Sequence, residues 1–483
     1  MKKIFLLPLL IYSIGMLAQE ESQEKSQEQV TYKKKVLEAT EIDFLMSYYE
    51  QEGSNGAVNG GIGPEDITDI TPNIVVSMPL NEDDVLTIDA GISAYTSASS
   101  SDVNPFVTTG ASTFEFDNSV RPSGTPWQAS TGASGKDVWG GITASYEHSS
   151  DDRNQKWNAF TSFSKEYDYT SFGIGGGRTW LFNQKNTEIG ISGKLFFDQW
   201  KAIYPTELEE YGIYGTNFQN EGYFTNVRVW DENASGSTGY NPSNFDFFDN
   251  EGRNTYSLSL NFNQILSKNL QASIFTDITY QTGLLSTPFQ RVYFADVENY
   301  YIGNPIYINE YTSPTNTGVF QLADDNEQLP NQRFKIPLGV RANYYINEWL
   351  VAKTYYRWYW DDWGIVSNTF SIDLPIKLKL GKFSFIPSYR FYNQTAADYF
   401  GAFDTLLSTS TYYTSDYDLS QFTAHQYSLG FRYTDIFTKF KLGRLGLKTF
   451  NLRYSYYERD TGLKASIIST ALNFIMEPKK PRD

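Results

Sequence analysis

The 483-residue chain contains no cysteine. That removes a disulfide framework, thiolate zinc and iron–sulfur ligation, a cysteine nucleophile and a lipid-modified cysteine. Two histidines, His148 and His425, leave little for histidine-built metal sites or triads. No apolar run reaches the roughly 20 residues of a membrane-spanning helix, which excludes a polytopic helical membrane protein. Basic residues are outnumbered 39 to 56, for a net charge of −17. General nucleic-acid binding needs basic surface to displace counterions, so that class is excluded as well.

What the chain has in abundance is aromatic residues: 36 Tyr, 34 Phe and 10 Trp, or 17% of all positions. Disordered chains are poor in these, so a folded chain is expected. Mean hydropathy is −0.44. By length the chain could hold about three ordinary domains or one large β domain.

The first residues carry Lys2 and Lys3, an apolar stretch over residues 4–17 and a small residue, Ala18. This is the secretory pattern, and the apolar part is too short to cross a bilayer comfortably. The expected organisation is a signal peptide at 1–18, a periplasmic lead at 19–40, a barrel at 41–476 and a periplasmic tail at 477–483. The charged lead is too small to be a folded plug, which argues against a TonB-dependent receptor.

Alternation with a period of two recurs along the body of the chain, the mark of half-buried strands. Between 85 and 96, Leu86, Ile88, Ala90, Ile92 and Ala94 lie on one face, and Thr87, Asp89, Gly91, Ser93 and Tyr95 on the other. Residues 187–198 and 255–263 repeat the pattern. About sixteen strands of this kind are expected, with 14 to 18 as the range. They start near Ile42, Asn73, Val85, Val138, Trp157, Tyr169, Thr187 and Thr255, then near Leu270, Phe334, Trp349, Val366, Phe383, Ala424, Leu447 and Leu463.

Connections alternate in length. Short ones fall at 81–84, 151–156, 183–186, 267–269, 346–348 and 381–382, and long ones at 97–136, 199–254, 283–333 and 395–423. Short periplasmic turns and long external loops are the rhythm of outer-membrane barrels. A soluble aromatic-rich sandwich has no reason to sort its loops by parity. Lipid cannot satisfy backbone polar groups, so a spanning sheet must close, with apolar residues out and polar residues in. An aromatic girdle is expected at one strand's upper end from Trp349, Tyr355, Tyr356, Trp358, Tyr359, Trp360 and Trp363. Trp139, Trp157, Trp180 and Trp200 are expected at other strand ends.

Two stretches carry a family resemblance. One is GGIGPEDITDITPNIVVSMPL at 60–80 with DAGISAYTSAS at 89–99; the other is TGLLSTPFQRVYF at 282–294. They resemble an uncharacterised family of outer-membrane β-barrel proteins of the Bacteroidota, carried under a domain-of-unknown-function label. The resemblance implies a transmembrane antiparallel β-barrel in the cell outer membrane. It also suggests an extracytoplasmic redox setting, with flavin transferases and thioredoxin-like proteins encoded nearby. It brings no catalytic residues and no cofactor.

Other candidate chemistry is sparse. The glycine-rich pieces at 60–63 and 173–177 precede no helix with a phosphate-cradling lysine, so bends or close packing explain them better than nucleotide binding. A histidine-dependent hydrolase needs a histidine beside a carboxylate or hydroxyl. Glu147 and Ser149 flank His148, and Gln426 follows His425, but adjacent strand residues point to opposite faces. Lone surface histidines are therefore expected. Among the acidic clusters, Asp324, Asp325, Asn326 and Glu327 form the best divalent-ion candidate. They lack an EF-hand spacing, and a solvated loop tip is the expectation.

The informative charges lie on the inward parity. Arg341, Lys353, Arg357, Arg390, Arg432 and Arg453 are expected to form a basic stripe on one inner wall, biasing the lumen toward anionic solutes. The competing expectation is an internal salt-bridge network with Asp361, Asp373, Asp277 and Glu188. The aromatic loops around 204–230 and 293–311 are expected to fold over the mouth or to bind a glycan or partner. The functional expectation is a channel or transporter for a small solute. A non-transporting anchor for an envelope complex is the alternative, and a barrel hydrolase ranks third. Expected partners are outer-membrane lipid, the barrel assembly machinery and a periplasmic or surface protein.

Overall fold

A computed structural model describes residues 35–96, 137–312, 318–378 and 381–477. The expected signal peptide, most of the lead, the long connection at 97–136 and residues 478–483 lie outside the described residues.

The described residues from Val36 onward form one compact unit built on sixteen antiparallel strands. These are β1 (Glu41–Glu52), β2 (Ile67–Pro79), β3 (Asp84–Thr96), β4 (Asp137–Ser149), β5 (Gln155–Lys165), β6 (Tyr169–Phe182), β7 (Thr187–Trp200) and β8 (Gly252–Ser267). The second half comprises β9 (Leu270–Gly283), β10 (Gln332–Asn347), β11 (Leu350–Asp361), β12 (Val366–Asp373 and Ile376–Leu378), β13 (Phe383–Gln394), β14 (Phe422–Thr434), β15 (Leu445–Arg459) and β16 (Lys464–Met476). The break in β12 falls at Pro375, which has no N–H to give the ladder. Each of the sixteen expected strands has its counterpart.

Every strand pairs with its sequence neighbours, and β1 pairs with β16 from Glu41↔Ile475 to Glu52↔Lys464. The sheet has no free edge. Its outer face is apolar: Ile189, Ile191, Leu195 and Phe197 on β7 meet Tyr256, Leu258, Leu260 and Phe262 on β8, all exposed. The intervening Ser192, Lys194, Ser257, Ser259 and Asn261 face inward. An apolar belt around a closed barrel is the solution to spanning a bilayer, and the protein is an outer-membrane barrel.

All the expected short connections lie at one end, the periplasmic end by the usual rule. The other end is mixed. Long loops at 53–66, 201–251, 284–331 and 395–421 share it with tight ones at 166–168, 362–365 and 460–463.

The expected girdle is only half right, because a strand alternates whatever its composition. Tyr356, Trp358 and Trp360 have the outward parity, whereas Tyr355 and Tyr359 point inward. Trp349 sits at the opposite, short-turn end. Trp363 is buried in the tight 362–365 connection, its indole N–H donating to the Gln332 carbonyl at 2.9 Å.

That connection is organised by Asp361, which is fully buried. Its carboxylate accepts from Arg333 Nη2 at 2.6 Å, the Tyr359 hydroxyl at 2.7 Å and the backbone N–H of Trp363 and Ile365 at 3.1 and 3.0 Å. Removing one partner of a buried pair strands the other charge, at a cost of about 3–5 kcal/mol. Asp361→Ala is therefore expected to lower the temperature at which the barrel loses its compact mobility on a detergent gel. An unchanged transition would contradict this role.

Candidate functional site in the lumen and its loop cap

The six expected basic residues share the parity opposite to Leu338, Val340, Tyr356 and Trp358. Arg341 pairs with Tyr355, Lys353 with Asn343 and Asp373, and Arg357 with Gly339 and Thr369. Arg390 pairs with Ser371 and Gln426, Arg432 with Ser384 and Asn451, and Arg453 with Gly430 and Ser469. Aromatic rings fix Arg341, whose guanidinium lies 4.6 Å from the Phe275 ring centre and 5.6 Å from that of Tyr355. Arg341, Lys353, Arg390 and Arg432 are exposed to water.

The competing salt-bridge network is largely elsewhere. Asp373 lies 3.6 Å from Arg453. Asp361 pairs with Arg333, Asp277 accepts from the Ser259 hydroxyl at 2.7 Å, and Glu188 accepts from Asn263 at 2.8 Å. Among the described residues, the other five basic side chains have no carboxylate within ion-pair distance.

An acidic counterpart went unread in the sequence. Asp43, Asp69 and Asp89 share the inward parity on β1, β2 and β3. They accept from neutral groups: Asn473 at 2.8 Å, Thr71 at 2.7 Å and Asn73 at 2.9 Å respectively. The same alternation marks these positions in the sequence. Gly173 and Gly175 face inward between Phe160 and Phe196, and a Cβ on Gly173 would stand 2.6 Å from the Phe196 ring. Close packing explains this glycine run.

At the long-loop end, three loops and residues 56–63 pack into a cap with its own core. Phe218, Phe224, Tyr240 and Phe320 form an aromatic cluster. A short helix α1 (Thr206–Tyr214) delivers Glu207, which accepts from Arg291 Nε at 2.7 Å and Nη2 at 3.3 Å. Both side chains are fully buried. Arg291 also donates to the Val58 carbonyl at 3.3 Å. Gly60, at φ +76°, lies so close to Tyr293 that a Cβ would stand 2.6 Å from its ring. The two stretches that carry the family resemblance thus meet inside the cap.

The strand pair of Arg291–Val292 with Asp325–Asn326 overturns the expectation of a solvated tip at 324–327, because all four residues are buried. Asp324 accepts from the Phe294 N–H at 2.8 Å, Asp325 from the Tyr413 hydroxyl, and Glu327 from Thr414 at 2.5 Å and the Thr287 N–H at 2.6 Å. The run staples neighbouring loops together. Among the described residues no carboxylate cluster fits a metal. The cap also reaches inward-facing strand residues. Arg459 on β15 donates to Asp418 at 2.6 Å, and Gln394 on β13 donates to the Ser420 carbonyl at 2.6 Å.

His148 is not the lone residue expected. Its Nδ1 lies 2.6 Å from Asp84, its cross-strand partner, an orientation that strand adjacency could not reveal. Among the described residues no hydroxyl is bonded to its Nε2, so the dyad lacks a nucleophile. His425 Nδ1 meets the Tyr389 hydroxyl at 2.9 Å on the outward face of β14.

Burial pushes the carboxyls of Asp324 and Asp325 up to about 7 and that of Glu327 up to about 8. Folding thus favours their protonated forms. Their contribution to cap stability is full below the unfolded value near 4 and is lost as pH rises through about 7–8. Hydrogen-exchange protection of residues 319–329 is expected to fall between pH 5 and pH 8, after correction for intrinsic exchange. Protection that rises with pH would contradict the assignment.

A family model described as "Protein of unknown function (DUF3570)" matches residues 7–470, and the chain belongs to that family. No curated protein matches. Solved structures with some likeness include a bacterial polysaccharide outer-membrane secretin, at 9% identity over 91% of this chain and 99% of that one, TM-score 0.42. Another is OccAB1 of Acinetobacter baumannii, at 8% identity over 93% and 99%, TM-score 0.38. A third is a deltaS2S3 mutant of the monoaromatic hydrocarbon channel TodX, at 8% identity over 91% and 91%, TM-score 0.37.

Proposed function

We propose that this member of the DUF3570 family is an outer-membrane channel for small solutes, with a lumen biased toward anions. The observation that carries the reading is the set of water-exposed basic side chains on the inward parity; among the described residues, Arg341, Arg390 and Arg432 have no carboxylate within ion-pair distance. Cationic walls raise the local concentration of anions and lower the barrier to their passage. Arg341 is held by two rings rather than by a counter-ion, so its charge remains available to a passing solute. The loop cap would then decide what enters, and the periplasmic redox setting implied by the resemblance is where the solute would arrive.

A second reading, a barrel that anchors an envelope complex, draws on the connection at 435–444. Ile436, Phe437, Phe440 and Leu442 are all exposed there, at the short-turn end. Apolar side chains gathered at one tip suit a protein partner.

Planar-bilayer recordings under a KCl gradient separate the two. The channel reading expects a reversal potential on the chloride side for the wild type. The double variant Arg341→Glu/Arg390→Glu is expected to move it to the potassium side. Conductance with unchanged selectivity would remove the anion bias, and a protein that neither conducts nor swells liposomes would leave the anchor.

A further inference from the structure

Two adjacent rows of inward-facing residues run around the wall from β13 to β2. In the upper row Ile386, Gly430, Arg453, Ser469, Ser47 and Thr71 stand in register. In the lower row Arg432, Asn451, Ala471, Leu45 and Asn73 do the same. Small side chains in the middle of both rows hollow the wall into a cavity of about 550 Å³. Gly430 keeps its floor low, since a Cβ there would stand 3.2 Å from Ile386 Cβ.

The chemistry of this hollow is divided. Arg432 spends its Nε on Asn451 Oδ1 at 2.6 Å, which orients the guanidinium and leaves both terminal nitrogens for a ligand. Arg453 stands beside it, 3.4 Å from the Ser388 hydroxyl and 3.6 Å from Asp373. No carboxylate lines the cavity itself. Leu45 and Ile386 flank the charged part, and Leu45 is 37% exposed although its parity points it into the lumen. An apolar side chain turned into lumen water gains by meeting an apolar group. A planar guanidinium gains by meeting an oxyanion.

We propose that this hollow is a binding subsite for a small amphiphilic carboxylate. Arg432 and Arg453 hold its carboxylate, and the exposed Leu45 receives its short apolar tail. The proposal deepens the channel reading and rests on it for the route by which the ligand arrives. Phosphate would use the arginines but leave the apolar flank wet, so the two anions are distinguishable.

Isothermal titration of the full chain in detergent, with straight-chain carboxylates from acetate to hexanoate and with inorganic phosphate, tests the subsite. Affinity is expected to rise along the series and to exceed that for phosphate. Hexanoate binding is expected to weaken at least tenfold in Arg432→Gln and in Arg453→Gln, each checked for native gel mobility. The chain-length series needs no variant, so a misfolded mutant leaves the test intact. No saturable binding, a flat series, equal affinity for phosphate, or binding untouched by both substitutions would overturn the proposal. The readout is independent of conductance. A protein that binds hexanoate but passes no current would end the channel reading alone, and a conducting protein that binds none would end the subsite alone.

Discussion

Backbone amides that enter hydrocarbon must find partners within the protein, and that constraint shapes everything else in this molecule. Closure through β1 and β16 satisfies the last open edge. It also places the first and last strands side by side and fixes one parity per strand toward lipid. The apolar belt and the polar lumen are consequences of that single closure. A low mean hydropathy is compatible with membrane residence for the same reason, since only alternate residues meet lipid.

The strands were readable because two solvents impose a period of two, and period survives composition. Their number followed from counting. Parity divides the expected aromatic girdle. Tyr355 and Tyr359 match Tyr356 and Trp358 in composition, but neighbours on a strand face opposite solvents. The loops carried no such period. Nothing local in Asp324, Asp325, Asn326 and Glu327 marks them as buried. Their burial depends on Tyr413, Thr414 and Thr287, contributed by other stretches of loop. The Glu207–Arg291 pair spans 84 positions and was likewise invisible to local pattern. His148 and Asp84 meet only through register, which strand starts known to within a few residues could not specify.

The molecule thus joins two kinds of order. The barrel is held by a continuous ladder and tolerates charge inside because the lumen is wet. The cap is held as a small soluble core is, by aromatic contacts and a few buried polar bonds such as that between Glu207 and Arg291. Titration of its buried carboxylates acts on the cap and leaves the ladder alone. Arg459 and Gln394 link the two, so a change in the cap has a direct mechanical route to the wall residues of the mouth.

The central claim is that alternate residues of each strand meet hydrocarbon and water. Nitroxide labels placed singly at 256–262 on β8, in the protein reconstituted into bilayers, read this directly through collision with oxygen and with a neutral nickel chelate. Labels at Tyr256, Leu258, Leu260 and Phe262 are predicted to favour oxygen, and those at Ser257, Ser259 and Asn261 to favour nickel. Uniform access to nickel, or a repeat near 3.6 residues, would contradict the account.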